Sequence, residues 1–350
     1  MRERLLHRLA EAAEIEHNLL CSYLYAAFSL RGPGEGLSGP EADAVDAWRR
    51  AIVSVAVEEM GHLATVSNLA VALGGTPHFD RPNFPVPAGY HPPGFALRLT
   101  PFDEATLEHF IYLERADDAP VADAEGFEAG AAPGRVEGAL GLTPSARDYG
   151  TVGELYRDLT REIRFFAGAS RTPAFVCTER QASGEDLGIA GVVVIRDLAS
   201  ALAALRHVVE QGEGGRGLED SHFARFCAIK AQWADLKQRN PAFMPAHPAA
   251  RDPVMRRPEE GLERVWIRAP AAAEMLDFGN AVYGVLLTLL AQIWAVSAGP
   301  QKRALMGAAI EAMHALSRAG RALARLPASQ AAGVNAGLTF AVPRARGPRA

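Results

Sequence analysis

Glu59 and His62 stand three residues apart in the run from Ala51 to Ala64, a spacing that puts both on one face of a helix. Steps of three and four through Ile52, Val55, Glu59, His62, Val66, Leu69 and Leu73 trace an otherwise apolar stripe. A carboxylate and an imidazole therefore sit on a face built to be buried. A buried carboxylate is costly unless it is paired or bound to a metal. Glu-x-x-His directed into a helical bundle is a ligand unit of carboxylate-bridged di-iron and di-manganese centres. Taken alone, the same two residues also read as a buried ion pair. Glu58 shares the other face with Ser54, Gly61, Thr65 and Asn68, and reads as solvent-facing or interface polarity.

The elements that must position this pair are helical. Residues 2–30 repeat Leu5, Leu9, Ala12, Glu16, Leu19, Tyr23 and Ala26 at helical spacing, with Glu16 on the apolar line. The Gly/Pro-rich stretch 32–40 ends that helix, and Pro40-Glu41 opens a second one that runs to a glycine stop at Gly74-Gly75. Residues 76–102 hold seven prolines and read as an extended arm, functional or packed on the surface. A short helix over 103–116 and an Ala/Gly/acid-rich, mobile insertion over 117–148 follow. Thr151 caps a third long helix with the stripe Val152, Leu155, Leu159, Ile163. The β-like runs within 172–194 form a hairpin or lead into a fourth long helix at about 196–211, with Leu198, Leu202, Leu205 and Val209. Ser221-His222 opens a fifth helix, 241–270 reads as a linker, and 271–297 and 300–325 read as two further helices before a tail at 327–350.

Composition sets the class. The chain of 350 residues is 49% hydrophobic and 22% charged, with a net charge of −5, which fits a globular protein and does not suggest nucleic acid. Cys21, Cys177 and Cys227 have no metal-type spacing and fit a reducing cytoplasm. No signal peptide is read at the N-terminus. The apolar run 281–296 falls short of the roughly 20 residues that cross a bilayer, so it reads as a fully buried core helix rather than a membrane contact.

Two helices with inward carboxylates, one followed by His at the third position, predict a four-helix bundle with metal between the helices. Glu16, Glu59 and His62 supply half of the set; Glu154 and Glu210 lie on the third and fourth long helices. The remaining imidazole is His207, three residues before Glu210, or His222, beyond the glycine break. His17 reads as packing or outer support, and Tyr23 and Tyr25 as core. His78, Tyr90 and His91 in the arm could reach a substrate.

Several segments together resemble a known family: Glu16-His17, Glu58-Glu59-Met60-Gly61-His62 with Leu73-Gly74-Gly75-Thr76-Pro77, Gly153-Glu154-Leu155-Tyr156, Val208-Val209-Glu210-Gln211-Gly212-Glu213-Gly214 and Ser221-His222-Phe223-Ala224-Arg225-Phe226. They are similar to the ferritin-like domain of the iminophenyl-pyruvate dimer synthases, large bacterial enzymes that oxidatively couple aromatic imines in bisindole pigment and antibiotic pathways. The resemblance covers about 1–240 and continues in Gly279-Asn280-Ala281-Val282-Tyr283 and Leu338-Thr339-Phe340. It implies an all-α fold: a ferritin-like four-helix bundle with the Pro-rich arm and extra C-terminal helices packed on it. By carry-over, the metal ligands are Glu16, Glu59, His62, Glu154, Glu210 and His222, with Glu59 and His62 at the catalytic centre.

The function expected of such a chain is that of a metal oxidase. Two ions, iron or alternatively manganese, share Glu59 and use O2 to oxidise a small amine or imine derived from an amino acid. Glu16 and Glu154 are terminal ligands and Glu210 is bridging or terminal. A homodimer or a pathway enzyme is the expected partner, and the cytoplasm the expected place. The family's coupling enzymes carry another large region before this domain. The rival readings are a metal-sequestering or peroxide-handling bundle without organic substrate, and an accessory subunit of a larger oxidase.

Overall fold

Ser38 opens the longest helix with a capping box: Glu41 reaches back to the Ser38 backbone N–H at 2.8 Å, and a proline follows in the first turn. This helix, α2 (Gly39–Ala72), has 34 residues and lies antiparallel to the 28-residue α1 (Arg2–Ser29). The structure, a computed structural model, describes residues 1–88, 90–91, 94–117, 119–127, 149–212, 220–259, 264–330 and 333–341. The 117–148 insertion lies outside them from 128 onward, as do Glu213-Gly214 and much of the 327–350 tail.

The other half of the bundle is made of broken helices. α3 (Glu104–Leu113) packs on α7 (His222–Arg239), while α4 (Val152–Ala169) packs on α6 (Leu198–Gly212). α3 and α4 together have 10 plus 18 residues, matching the 28 of α1. α6 and α7 have 15 plus 18, close to the 34 of α2. Two short helices in succession thus fill each of the third and fourth positions. Their ends are specified locally: Asp103, Thr151 and Ser221 each accept a backbone N–H from the third residue beyond, as N-caps do.

Four segments differ from the sequence expectation or add to it. The runs within 172–194 form no hairpin; they are an irregular loop with the one-turn α5 (Gly184–Leu187), tied to α2 through Val176 N–H to Ala72 O at 2.7 Å, and they lead into α6. The arm 76–102 buries Phe79, Phe84, Val86, Phe95, Leu97 and Leu99, so its prolines space a packed strap. Residues 241–259 run along the bundle, His247 N–H bonding Ser29 O at 2.8 Å and Asp252 N–H bonding Leu99 O at 2.9 Å. Pro253–Val254 (β1) and Val265–Trp266 (β2) form a two-residue parallel ladder.

α8 (Pro270–Ile293) and α9 (Pro300–Leu323) make a hairpin against α1. Gly320 permits the contact, since a Cβ there would meet the Phe28 ring at 2.2 Å. α8 was expected to be fully buried, and it is not. It is 24 residues long, with Phe278 52% and Val285 56% exposed, because only one face has neighbours among the described residues. By length and composition alone it is also apolar enough to cross a membrane.

Candidate metal centre

Five side chains converge where the broken helices meet α1 and α2. Glu16 comes from α1, Glu59 and His62 from α2, Glu114 from the C-cap of α3, and His222 is the first residue of α7. All five are buried, His222 completely. They form two trios, Glu16/Glu59/His62 and Glu59/Glu114/His222, whose ligand atoms lie within 4.8 Å of one another. Glu59 belongs to both, and its two oxygens face opposite ways. Oε2 is 2.9 Å from His62 Nδ1, which also lies 3.4 Å from Glu16 Oε2. Oε1 is 2.9 Å from His222 Nδ1, which lies 3.6 Å from Glu114 Oε2.

The imidazoles are fixed from behind. His62 Nε2 donates to Gln211 Oε1 at 3.0 Å, and His222 Nε2 donates to Glu58 Oε2 at 3.1 Å. Glu58 is held by Arg225 Nη1 at 2.6 Å, and Gln211 Nε2 donates to it at 3.4 Å. With Nε2 donating outward, each ring turns its Nδ1 toward the carboxylates, an arrangement that outer partners impose on metal-binding histidines. The rings stack at 5.5 Å between centroids. The carboxylates have their own supports: Tyr156 OH donates to Glu16 and Tyr23 OH to Glu114.

Burial and mutual charge shift all five groups from their ordinary values. Burial, then the charge of Glu59, pushes the Glu16 carboxyl up to about 8, and the same two causes raise Glu114. Burial opposes ionisation of Glu59 too, but His62 and His222 hold it well below the usual carboxylate range. Burial works against the imidazolium of His62, yet Glu59 and Glu16 lift it to about 10; His222 is raised well above its ordinary value by Glu59 and Glu114. Protons thus occupy positions that cations would otherwise fill.

The donor set fits a pair of metal ions. His222 Nδ1 is buried between Glu59 Oε1 at 2.9 Å and Glu114 Oε2 at 3.6 Å without a well-aligned hydrogen bond to either, so a cation lying among the three atoms would satisfy all of them at once. Carboxylate and imidazole donors suit iron or manganese rather than thiophilic metals. The three cysteines are free, and none belongs to either trio. Beside the cluster a small pocket of about 20 Å³ opens between Leu113, Val152, Gly153, Tyr156, Val209 and Gly212, room for about one small molecule such as water.

Of the six residues expected as ligands, the structure brings Glu16, Glu59, His62 and His222 together. Glu154 and Glu210 are not brought there. Glu154 lies in the first turn of α4 and bends back to accept the Gly150 N–H at 2.7 Å, a helix-start role. The position of α4 that faces Glu16 is Tyr156, two residues on. Glu210 is exposed because α6 buries Ala201, Ala204, Leu205 and Val208, a stripe turned by one residue from the expected one, which brings Gln211 inward. His207, the other candidate imidazole, packs over Gly191, where a Cβ would lie 2.0 Å from its Nε2. Glu58 is half-buried at the contact of α2 with α7, the interface alternative of the two expected for it. Glu114 was missed, although Leu107, Phe110 and Ile111 form with it an apolar stripe ending in a carboxylate, the same signal that Glu16 gave.

A family model described as ferritin-like matches residues 9–231. The chain belongs to the ferritin-like family. Its curated relatives include a dichlorochromopyrrolate synthase from Lentzea aerocolonigenes, 26% identical over 91% of this chain and 34% of that protein. Another is a 2-imino-3-(indol-3-yl)propanoate dimerase from Chromobacterium violaceum, 28% identical over 90% of this chain and 31% of that protein. The chain thus spans about a third of the length of these relatives. A crystal structure of a ferritin-like protein from Caulobacter vibrioides matches with a TM-score of 0.57 and 19% identity over 91% of this chain and 96% of that one, a likeness of fold. In this ferritin-like chain, two of the five converging residues sit at helix breaks rather than inside continuous helices.

Proposed function

We propose that this ferritin-like chain is a non-haem dinuclear metal oxidase, acting with O2 on a small amine or imine derived from an amino acid in specialised metabolism. One observation carries the reading: Glu59 is shared, oxygen by oxygen, between two buried trios that each hold an imidazole. Glu16, Glu59 and His62 would hold one ion and Glu59, Glu114 and His222 the other, iron being the first candidate and manganese the second. The relatives' names support the substrate class, since one is a synthase and the other a dimerase of an imino acid.

When bound, the ions supply O2 activation and accept electrons from the substrate. The chain's own residues do the rest. Tyr156 and Tyr23 orient Glu16 and Glu114 by donating a hydrogen bond to each. Gln211 and the Glu58–Arg225 pair fix the two rings. Leu113, Val152, Val208 and Val209 wall the small pocket and exclude bulk water from the reacting atoms.

The test is quantification of iron and manganese in the purified chain, followed by the absorption spectrum of the reduced protein on exposure to O2. About two ions per chain and a transient or lasting visible band are expected, both lost in Glu59→Ala. Absence of both metals, with Glu59→Ala unchanged in stability and activity, overturns the reading. A second reading is a module that works together with a further catalytic region, since the chain spans about a third of the length of these relatives. Turnover of an aromatic imine by the isolated chain would remove it.

A further inference from the structure

A second cavity lies elsewhere in the molecule. Between α1/α2 and the α8/α9 hairpin runs a cleft of about 290 Å³, at the lower edge of the volumes that hold drug-sized ligands, about 300 Å³ and upward. It is distinct from the metal centre: none of Glu16, Glu59, His62, Glu114 or His222 lines it, although the neighbours His17 and Met60 do. Its floor is deep, for Cys21, Phe79, Tyr283, Trp294, Met306 and Phe340 are all buried, while Val57 and Ile310 at 37% and 38% exposure lie toward solvent.

The wall chemistry is selective. Phe28, Phe79, Trp294 and Phe340 alternate with Met60 and Met306, a lining of ring faces, ring edges and thioethers that suits aromatic guests. The polar group at the inner end is already engaged. Tyr283 OH accepts from Arg81 Nε at 3.0 Å and bonds His17 Nε2 at 2.6 Å. Arg81 in turn donates to the Pro82 and Phe340 carbonyls. A ligand carboxylate entering here would lose its water and find no free donor on Tyr283.

We propose that this cleft is a binding site for an uncharged aromatic small molecule of about two or three rings, separate from the metal centre and independent of it. The rings lie between the bundle and the C-terminal hairpin, against Phe79, Trp294, Met60 and Met306, with the His17–Tyr283 pair closing the inner end.

Titration with N-phenyl-1-naphthylamine, an uncharged fluorophore, tests the proposal. One saturable site per chain is expected, displaced by naphthalene and not by 2-naphthoate. Leu287→Trp and Met313→Trp, which fill the cleft from α8 and α9, should each weaken binding about tenfold or more. Leu287→Ala, which enlarges it, should keep the dye and confirm that changes at this position are tolerated. Glu59→Gln should bind as the wild type does, which separates this site from the metal reading. The proposal is overturned by an absence of saturable binding, by Trp variants that fold and bind unchanged, or by equal competition from naphthoate. It is also overturned if the dye is expelled as protein concentration rises in step with dimer formation, since the cleft would then hold a second copy of the chain.

Discussion

Metal uptake by this centre should displace protons, and the structure sets how many. At pH 7 the Glu16 carboxyl, lifted to about 8, is still mostly protonated. His62, at about 10, carries its second proton, and His222, raised well above its ordinary value, carries one as well. Glu59 is already ionised. A metal ligand must be a carboxylate or a neutral imidazole. One proton each from Glu16, His62 and His222 therefore has to leave, three in all, and the raised Glu114 adds up to one more. Apparent affinity for the pair of ions should accordingly rise by about three powers of ten per pH unit below the Glu16 value, and by about two between there and the His62 value. Calorimetric titration of the metal-free protein with Mn(II), or anaerobically with Fe(II), in buffers of differing ionisation enthalpy reads the count directly. Release of fewer than one proton per chain, or an affinity flat between pH 6 and 8, would refute the assignment of these residues as the metal-binding set.

The metal-free protein should lose stability as pH rises. Glu16 keeps its proton in the fold up to about 8 while the unfolded chain gives it up near 4.5, and His62 keeps its charge up to about 10 against 6.5 unfolded. Both contributions are therefore full at low pH and lost upward through these windows. A thermal midpoint that climbs from pH 6 to 9 without metal would contradict this. Glu114→Ala should lower bound metal from about two ions per chain to one or fewer, whereas Glu154→Ala and Glu210→Ala should leave it at two; elemental analysis of the three variants decides. Gln211→Ala and Glu58→Gln, which loosen the rings without removing a ligand, should weaken metal binding about 10–100-fold by competition with a chelator. Ser221→Ala removes the cap that starts α7 at His222 and should cost about 1 kcal/mol in denaturant unfolding, with a matching loss of metal affinity.

The part of the centre carried by continuous helices was legible, and the part carried by helix ends was not. Glu16, Glu59 and His62 lie inside runs of 28 and 34 residues, where a polar group on an apolar stripe stands out against many turns of pattern. α3 has only ten residues, and Glu114 is its cap, so the stripe through Leu107 and Phe110 stops just where the carboxylate falls. Expecting each bundle position to be one helix points instead to Glu154, which the Thr151 cap already puts in the first turn of α4, where it is occupied with Gly150. The same expectation misassigned Glu210. The stripe of α6 could be drawn through Val208 or Val209 with equal apolar character, and one residue of rotation exchanges Glu210 for Gln211. His222 was legible for a different reason, since Ser221 marks a helix start whatever precedes it.

Glu58 shows the limit of face arguments on a helix with two partners. It sits outside the stripe of Glu59 and His62, and in a bundle of four unbroken helices it would point to solvent. Here α7 begins beside α2, and its first turn brings His222 and Arg225 over that outer face. A break in the fourth helix thus brings a carboxylate on the outer face of α2 onto His222 Nε2, which leaves Nδ1 turned toward Glu59. The breaks are part of the site: they give helix ends, and helix ends let Glu114 and His222 approach Glu59 from a direction that a continuous helix wall would close.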